Sequence, residues 1–350
     1  MDLKILGYNK TLFKKDWNMS KWSAFFIAGM LFFTMTLGII RTNSEYETIV
    51  KEAEEHPEHY DYFDAEEYKE STKDFVKFRF KELTFIEMII LALVPISIAT
   101  LLFGEEKRRK TFEVLATMPF TRWEIFFNKL LVAFTNLIFP FLINALIMTL
   151  ALGISKNLRE FYSVGLVMTW LGANIFRLFV FLGFSFLFAT LTGTSISQIA
   201  LTAIFLIFPL GFMGLIEMNL SAWGYTTVKI DEILNILARY SIPYLVFNLE
   251  RSAIIFHFIS GILMFIFAKI LFDKNTIERS GETLEFESLE TFFKVGVTGC
   301  ISLLTGVIFE SIGWSFDFPY SVSIIIGYVV GIVLGWLIAT YSIKLNRSKI

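Results

Sequence analysis

Eight stretches of roughly twenty predominantly apolar residues recur along the chain, and no other feature restricts its fold as tightly. They are Trp22–Ile40, Phe85–Phe103, Leu130–Leu152, Gly172–Leu191, Ile196–Ile216, Ala253–Phe272, Phe292–Phe309 and Val322–Tyr341. A hydrocarbon core of about 30 Å takes about 20 helical residues to cross, and a helix satisfies all its backbone polar groups internally. The chain is therefore predicted to be an all-α integral membrane protein, a polytopic helical bundle of about eight transmembrane helices. Composition agrees: 55 % of residues are hydrophobic, only 18 % are charged, and 40 are Phe. The charges gather between the apolar runs. In the fourth run apolar character begins near Phe161, so Phe161–Leu171 is expected as an interfacial or re-entrant piece ahead of the span.

Several functions are disfavoured at once. A net charge of −2 gives no electrostatic basis for binding nucleic acid. Cys300 stands alone, which excludes an intrachain disulfide and a cysteine zinc site. His56, His59 and His257 are the only histidines, leaving little for metal chemistry, and no metal site is expected. Met1–Lys21 is polar and basic with no small-residue cleavage pattern after the first apolar run, so that run reads as a retained span.

Positive charge orients the bundle. Residues 1–21 carry five lysines, residues 104–129 six Lys or Arg, and the C-terminal tail three, whereas the connection 310–321 has none. Both termini are thus predicted to be cytoplasmic. The expected domains are an N-terminal cytoplasmic or interfacial helix (1–21), a six-span core (22–272), and a cytoplasmic linker with two further spans (273–350). Within the core, 41–84 is an extracellular loop and 104–129 a cytoplasmic one. Thr11–Trp22 sets lysines beside Leu12, Phe13 and Trp17, as an interfacial helix or a plain positive anchor would. Thr42–Thr72 holds eleven acids against two lysines; it reads as a solvated helical face, or as a receiver of cationic cargo.

Two sets of residues inside the spans stand out. Gly327, Gly331 and Gly335 form a small-residue stripe that suits close helix packing, on the seventh span or across a dimer seam. Glu87 and Arg177 are the charges placed clearly inside spans. Glu87 lies 17 residues before Gly104 and Arg177 lies 16 before Gly193, so each sits about 25 Å from the cytoplasmic end of its span. Level charges at that depth predict an ion pair; separate access to water, or Arg177 with Glu217, are the alternatives.

The most informative segment is Gly104–Lys129. Phe112, Leu115 and Ala116 fall at i, i+3 and i+4 beside the basic run Lys107–Lys110, which predicts a short amphipathic surface helix. Pro119 ends it, and Thr121-Arg122-Trp123-Glu124 is a capping-box pattern that opens the next helix. Glu105-Glu106, the run Lys110-Thr111-Phe112-Glu113-Val114-Leu115-Ala116-Thr117-Met118-Pro119, then Arg122 and Lys129, resemble the ABC-2 type permeases. The small-residue turn Thr190–Ser197 and Tyr240–Asn248 around Pro243 are further points of similarity, and the resemblance covers residues 1–272. Lys110 replaces the family's usual Gly, and 273–350 exceeds the common six spans.

The resemblance implies that this loop is a coupling helix inserted into a cleft of a separate ATP-binding subunit. The residues it assigns to coupling are Glu106, Arg109, Lys110, Thr111, Phe112, Glu113, Leu115, Met118, Pro119 and Arg122. It implies two copies of the ATPase, which hold the ATP and Mg²⁺, a second permease copy or homologous permease, and no cofactor on this chain. No G-x-x-x-x-G-K-[ST] run occurs, in keeping with a transport subunit that has no catalytic residue of its own. The spans offer Phe, Leu and Ile rather than polar linings, so hydrophobic or amphipathic cargo (peptide, antimicrobial or lipid-like) is expected to move outward. An ion-coupled secondary transporter, a structural or sensory membrane protein and an intramembrane CAAX-type protease are the alternatives. The last rests on Glu105-Glu106 followed by Lys110, yet it calls for intramembrane histidines, of which only His257 lies in a span.

Overall fold

In the computed structural model the described residues are 7–60, 63–108, 111, 115, 117–225, 228–275, 287–316 and 319–344, and none of them forms a strand. Eight helical stretches are long and apolar enough to cross a bilayer, in the order of the eight apolar runs. The protein is a polytopic all-α membrane protein. It divides into two compact units, Met1–Ile98 with Trp123–Leu182, and Ala99–Arg122 with Gly183–Ile350.

Unit 1 opens with α1 (Lys10–Leu31), capped by the Asn9 side chain, which accepts from the Thr11 amide at 3.0 Å. A π-helical stretch, Phe32–Thr36, carries α1 directly into α2 (Leu37–Glu55), giving one 46-residue rod. Thr11–Trp22 is continuous with the helix that follows it, with no break at Trp22. Leu12, Asp16, Ser20, Ala24, Ile27 and Leu31 are buried along it at helical spacing.

The loop 41–84 is largely helical. α2 runs on to Glu55, a 3₁₀ turn follows at Pro57–His59, and α3 (Ala65–Lys81) returns. Asp64 starts α3 by accepting from the amides of Glu66 (2.8 Å) and Glu67 (3.2 Å). Tyr46 of α2 stacks on Tyr68 of α3, centroids 5.7 Å apart. The acids of this hairpin sit mostly on its exposed faces.

Next come α4 (Phe85–Ala99), a π-helical stretch (Thr100–Gly104) and α5 (Glu105–Arg108). α6 (Arg122–Ile154), α7 (Lys156–Phe161) and α8 (Val164–Leu191) follow. The fourth span is therefore longer than the sequence suggested: residues from Val164 onward belong to one 28-residue helix, and Phe161–Leu171 is not re-entrant. The chain breaks before it, at the extended Tyr162 and at Ser163, whose hydroxyl accepts from the Leu166 amide. Twenty-eight residues span about 42 Å, enough to project past the hydrocarbon core.

Unit 2 contains the end of α8, then α9 (Ser195–Ala222), α10 (Val228–Arg239), α11 (Tyr244–Phe247), α12 (Arg251–Lys274), α13 (Glu287–Ser315) and α14 (Tyr320–Lys344). Thr194 caps α9 by accepting from the Ser197 amide at 3.1 Å. α10 leaves Ile233, Ile236, Leu237 and Tyr240 exposed at i, i+3, i+4 and i+7. That single apolar stripe marks an interfacial helix between two spans. His257 is fully buried in α12 with Nε2 3.2 Å from the Arg239 carbonyl, the local bond that a lone intramembrane histidine usually makes.

Candidate functional site

The segment 104–122 is anchored to three helices of unit 2. Gly104 lies against the first turn of α9: a Cβ there would stand 3.0 Å from Ser195 Cα and 3.1 Å from Gln198 Oε1. A side chain would force the two backbones apart. Lys107 is buried, and its ammonium donates to the carbonyls of Ala189 (3.0 Å) and Thr192 (2.7 Å), at the carboxyl end of α8. Arg122 donates to the carbonyls of Phe272 (2.8 Å), Asp273 (2.9 Å) and Asn275 (3.0 Å), at the carboxyl end of α12. Asn275 in turn donates from Nδ2 to the Thr190 carbonyl at 3.1 Å, tying the two helix ends together.

The last carbonyls of a helix have no partner within it, and its carboxyl end carries partial negative charge. Two cations from one loop meet both needs at two different helices. A displacement of this loop is therefore a displacement of the ends of α8 and α12.

The predicted coupling residues are placed as follows. Glu106 is buried, and its carbonyl accepts from the Thr111 hydroxyl at 3.2 Å. Leu115 is buried at 6 % exposure, so it holds the segment to its own chain rather than offering a docking face. Thr111, Met118 and Pro119 are exposed. The bend at Met118–Pro119 ends the segment, and α6 begins at Arg122 right after Thr121. Arg109, Lys110, Phe112 and Glu113 lie outside the described residues.

Glu87 and Arg177 are both buried in unit 1. Glu87 acts locally, its Oε2 accepting from the Thr84 amide (2.8 Å) and the Thr84 hydroxyl (2.7 Å). This is a capping box at the start of α4. The Arg177 guanidinium lies 3.4 Å from Asn174 Oδ1, and the carboxylates of Glu82 and Glu87 both act on it electrostatically. Glu82 is not among the residues that the sequence singled out. Gly327, Gly331 and Gly335 face α13 of the same chain; a Cβ on them would stand 2.6 Å from the Thr305 carbonyl, 2.5 Å from Ser302 Cα and 2.7 Å from Thr298 Cα, respectively.

The profile of the ABC-2 family transporter proteins matches residues 10–255, more than half of the chain. The chain belongs to that family. No curated protein and no solved structure matches it. As an ABC-2 protein it is a permease subunit of an ABC transporter. The matched region runs from the first residue of α1 into the first turn of α12 and includes the anchored 104–122 segment. α13 and α14 lie beyond the match.

Within the permease, one buried set escapes a reading of the sequence alone. Asn128, Asn136 and Asn144 of α6 are fully buried and bond to α1 and the residues around it at three levels. Asn128 Oδ1 accepts from the Asn9 amide (3.1 Å), while its Nδ2 donates to the Gly7 carbonyl (2.9 Å). Asn136 Nδ2 donates to Ser20 Oγ (2.9 Å). Asn144 Nδ2 donates to the Ala28 carbonyl (3.1 Å), and its Oδ1 accepts from Thr36 Oγ1 (2.7 Å). Between the first two levels Lys129, fully buried, stands 3.9 Å from the equally buried Asp16, which Lys15 also reaches at 3.2 Å. The signal that could have found the set is the recurrence of Asn every eight residues through an apolar run.

Proposed function

We propose that this permease is the membrane-spanning subunit of an ATP-driven exporter, moved by a separate ATP-binding subunit that docks on residues 104–122. The observation that carries the reading is the pair of cationic caps, Lys107 on α8 and Arg122 on α12. A partner pressing on exposed Thr111, Met118 and Pro119 works against a segment already fastened to two spanning helices. The segment lies on the cytoplasmic side, as do both termini, in keeping with the Lys and Arg counts. Two ATPase copies, holding the ATP and Mg²⁺, serve a pair of permeases, and closure of the ATPases rocks the spans. The negative charge of Glu82 and Glu87 offsets part of the cost of burying the Arg177 guanidinium, and Glu87 is the partner assigned to it.

The cargo is hydrophobic or amphipathic. Within unit 2 a cavity of about 280 Å³ lies between α9 and α13, lined by Phe205, Phe208, Phe292, Phe293 and Cys300. Such a wall gives a polar solute no hydrogen-bond partner and suits an acyl chain or an apolar side-chain cluster.

The test separates docking from transmission. With the permease purified from its native membranes, Met118→Asp is expected to abolish recovery of the ATP-binding subunit. Lys107→Met should keep that subunit and its ATP hydrolysis but lose the stimulation by amphipathic compounds. Unchanged recovery with Met118→Asp would overturn the docking assignment. Retained stimulation in Lys107→Met would overturn the transmission route.

A further inference from the structure

Two of the chain's three histidines occupy one turn at the tip of the α2–α3 hairpin. The turn is held by its own backbone. The His56 amide donates to the Glu52 carbonyl (2.9 Å), the His59 amide to His56 (3.0 Å) and the Tyr60 amide to Pro57 (3.2 Å). His56 stands at the N-cap of the 3₁₀ turn Pro57–His59, and His59 is its last residue. Their ring centroids are 5.9 Å apart, and Glu58 Oε1 lies 3.5 Å from His56 Nδ1. One ligand atom from each of His56, Glu58 and His59 falls within 4.8 Å of the other two.

We propose that His56, Glu58 and His59 bind a late first-row divalent cation, with Zn²⁺ as the reference ion. Two imidazoles and a carboxylate suit Zn²⁺, Cu²⁺ or Ni²⁺, whereas Ca²⁺ and Mg²⁺ call for oxygen donors. Around zinc, ligands about 2.0–2.1 Å from the metal stand about 3.3 Å from one another in a tetrahedron, so modest side-chain rotation closes this set. All three residues are exposed, and water completes the shell, which makes the site open and exchangeable rather than structural.

Two features of the surroundings favour a cation. The turn follows the carboxyl end of the 19-residue α2, where the helix dipole is negative. The segment Thr42–Thr72 also carries eleven acids against two lysines. Both raise the local cation concentration at a donor set that the backbone has already gathered.

The full-length chain, purified in detergent on a tag without histidines, decides the matter with Co²⁺ as spectroscopic probe and Zn²⁺ as competitor. One equivalent of Co²⁺ should produce saturable visible d–d bands that Zn²⁺ abolishes. His59→Ala should weaken binding at least about tenfold, as loss of a ligand exceeds loss of a supporting contact. Glu58→Gln should weaken it and alter the d–d bands at saturating Co²⁺, and His56→Ala/His59→Ala should remove it. The remaining nitrogen and sulfur side-chain donors of the classical type, His257 and Cys300, lie on the spanning helices α12 and α13, so attribution is direct. Absence of saturable binding in the native chain, or undiminished binding in the double variant, would overturn the proposal.

Discussion

The α1–α6 pair of unit 1 and the α13–α14 pair of unit 2 solve the same problem with opposite chemistry. Two helices in lipid gain little from hydrophobic burial, because the surrounding tails are as apolar as their own side chains. The α1–α6 pair uses directed polar contacts: three asparagines, an Asp–Lys pair, and the Ser20, Thr36 and backbone partners they bind. The α13–α14 pair uses proximity. Gly327, Gly331 and Gly335 let α14 come within backbone contact of Thr298, Ser302 and Thr305, and Thr305 and Ser302 then reach the carbonyls of Gly327 (2.9 Å) and Tyr328 (3.1 Å). Directed bonds fix axial register and rotation together. Glycine contacts fix distance and leave register to shape.

The two pairs also differ in what remains uncovered. In the most apolar window of α6, 44 % of residues are buried, against 6 % in α13. Outside its contacts with α14 and α9, α13 offers a broad surface to lipid or to another chain. Its docking onto α9 combines apolar packing of Phe293 on the cluster that includes Leu201 with a small polar chain: Asn219 Nδ2 donates to the Leu303 carbonyl (3.2 Å), Tyr328 donates to Asn219 Oδ1 (2.7 Å), and Trp223 Nε1 donates to Tyr328 (3.0 Å). The added C-terminal helices are thus joined to the ABC-2 part of unit 2 by this packing and by hydrogen bonds that start from Asn219.

The largest loss is expected at Lys129 of the α1–α6 pair. Lys129→Met removes an ammonium from buried Asp16, which Lys15 still reaches at 3.2 Å, and breaking a buried pair costs on the order of 3–5 kcal/mol. Because Lys15 is partly exposed and can follow the carboxylate, the expected loss is at the lower end, read as a fall in the detergent melting temperature. The double variant Asp16→Asn/Lys129→Met should recover part of it. No loss in the single variant would mean that the α1–α6 interface does not depend on its charges.

Substitution at Gly331 comes next. In Gly331→Leu the new Cβ would stand 2.5 Å from Ser302 Cα, so α13 and α14 must separate or slide. Overpacking of this kind costs about 1–3 kcal/mol. Cysteines at Ser302 and Tyr328, on a Cys300→Ala background, should cross-link readily in the native sequence and poorly in the variant. Asn136→Leu should do less, about 0.6–1.7 kcal/mol, since Ser20 and Ser23 keep their bonds to the Asp16 and Ser20 carbonyls. If Asn136→Leu cost more than Gly331→Leu, the ranking of directed bonds below backbone contact in this fold would be reversed.

Hydrophobic run length makes the eight helices legible, and the loop motif makes the family legible. What escapes is decided by groups whose roles depend on a partner far along the chain. Asp16 lies in a segment that reads as surface-bound, so Lys129 has no visible partner in the sequence. Glu87 carries its explanation three residues upstream, in Thr84, yet inside an apolar run it reads as an intramembrane charge. Leu115 has a helical period that names a face without saying which way the face turns. The start of α8 is hidden because apolar residues Val164–Leu171 continue past the minimum length for crossing, and only the break at Tyr162 and Ser163 marks the end. Period and length fix what is local, whereas buried polar pairs belong to the tertiary structure.

The smallest expected effect lies where unit 1 leaves the membrane. There α7 is fastened to the α2–α3 hairpin by Glu160 with Lys69 and by Asn157 donating to Glu47 at 3.1 Å. The Lys69 ammonium beside Glu160 holds its carboxyl below the ordinary carboxylate range, and Lys69 is correspondingly raised. A depressed carboxyl pKa stabilises the folded state above the unfolded pKa, and that stabilisation is lost as pH falls through the lower, folded value. Protection of the α7 amides from hydrogen exchange should therefore hold near neutral pH and decline in the acid range. In Lys69→Gln protection should be lower near neutral pH and its acid decline smaller, because the Glu160 carboxyl then titrates closer to its free value. Both groups are solvent-exposed, so the shift should shrink with added salt and leave global melting unchanged. An α7 whose exchange ignores both pH and Lys69 would be held by apolar packing, with Phe161 edge-on against Tyr46 (centroids 5.2 Å apart), rather than by charge.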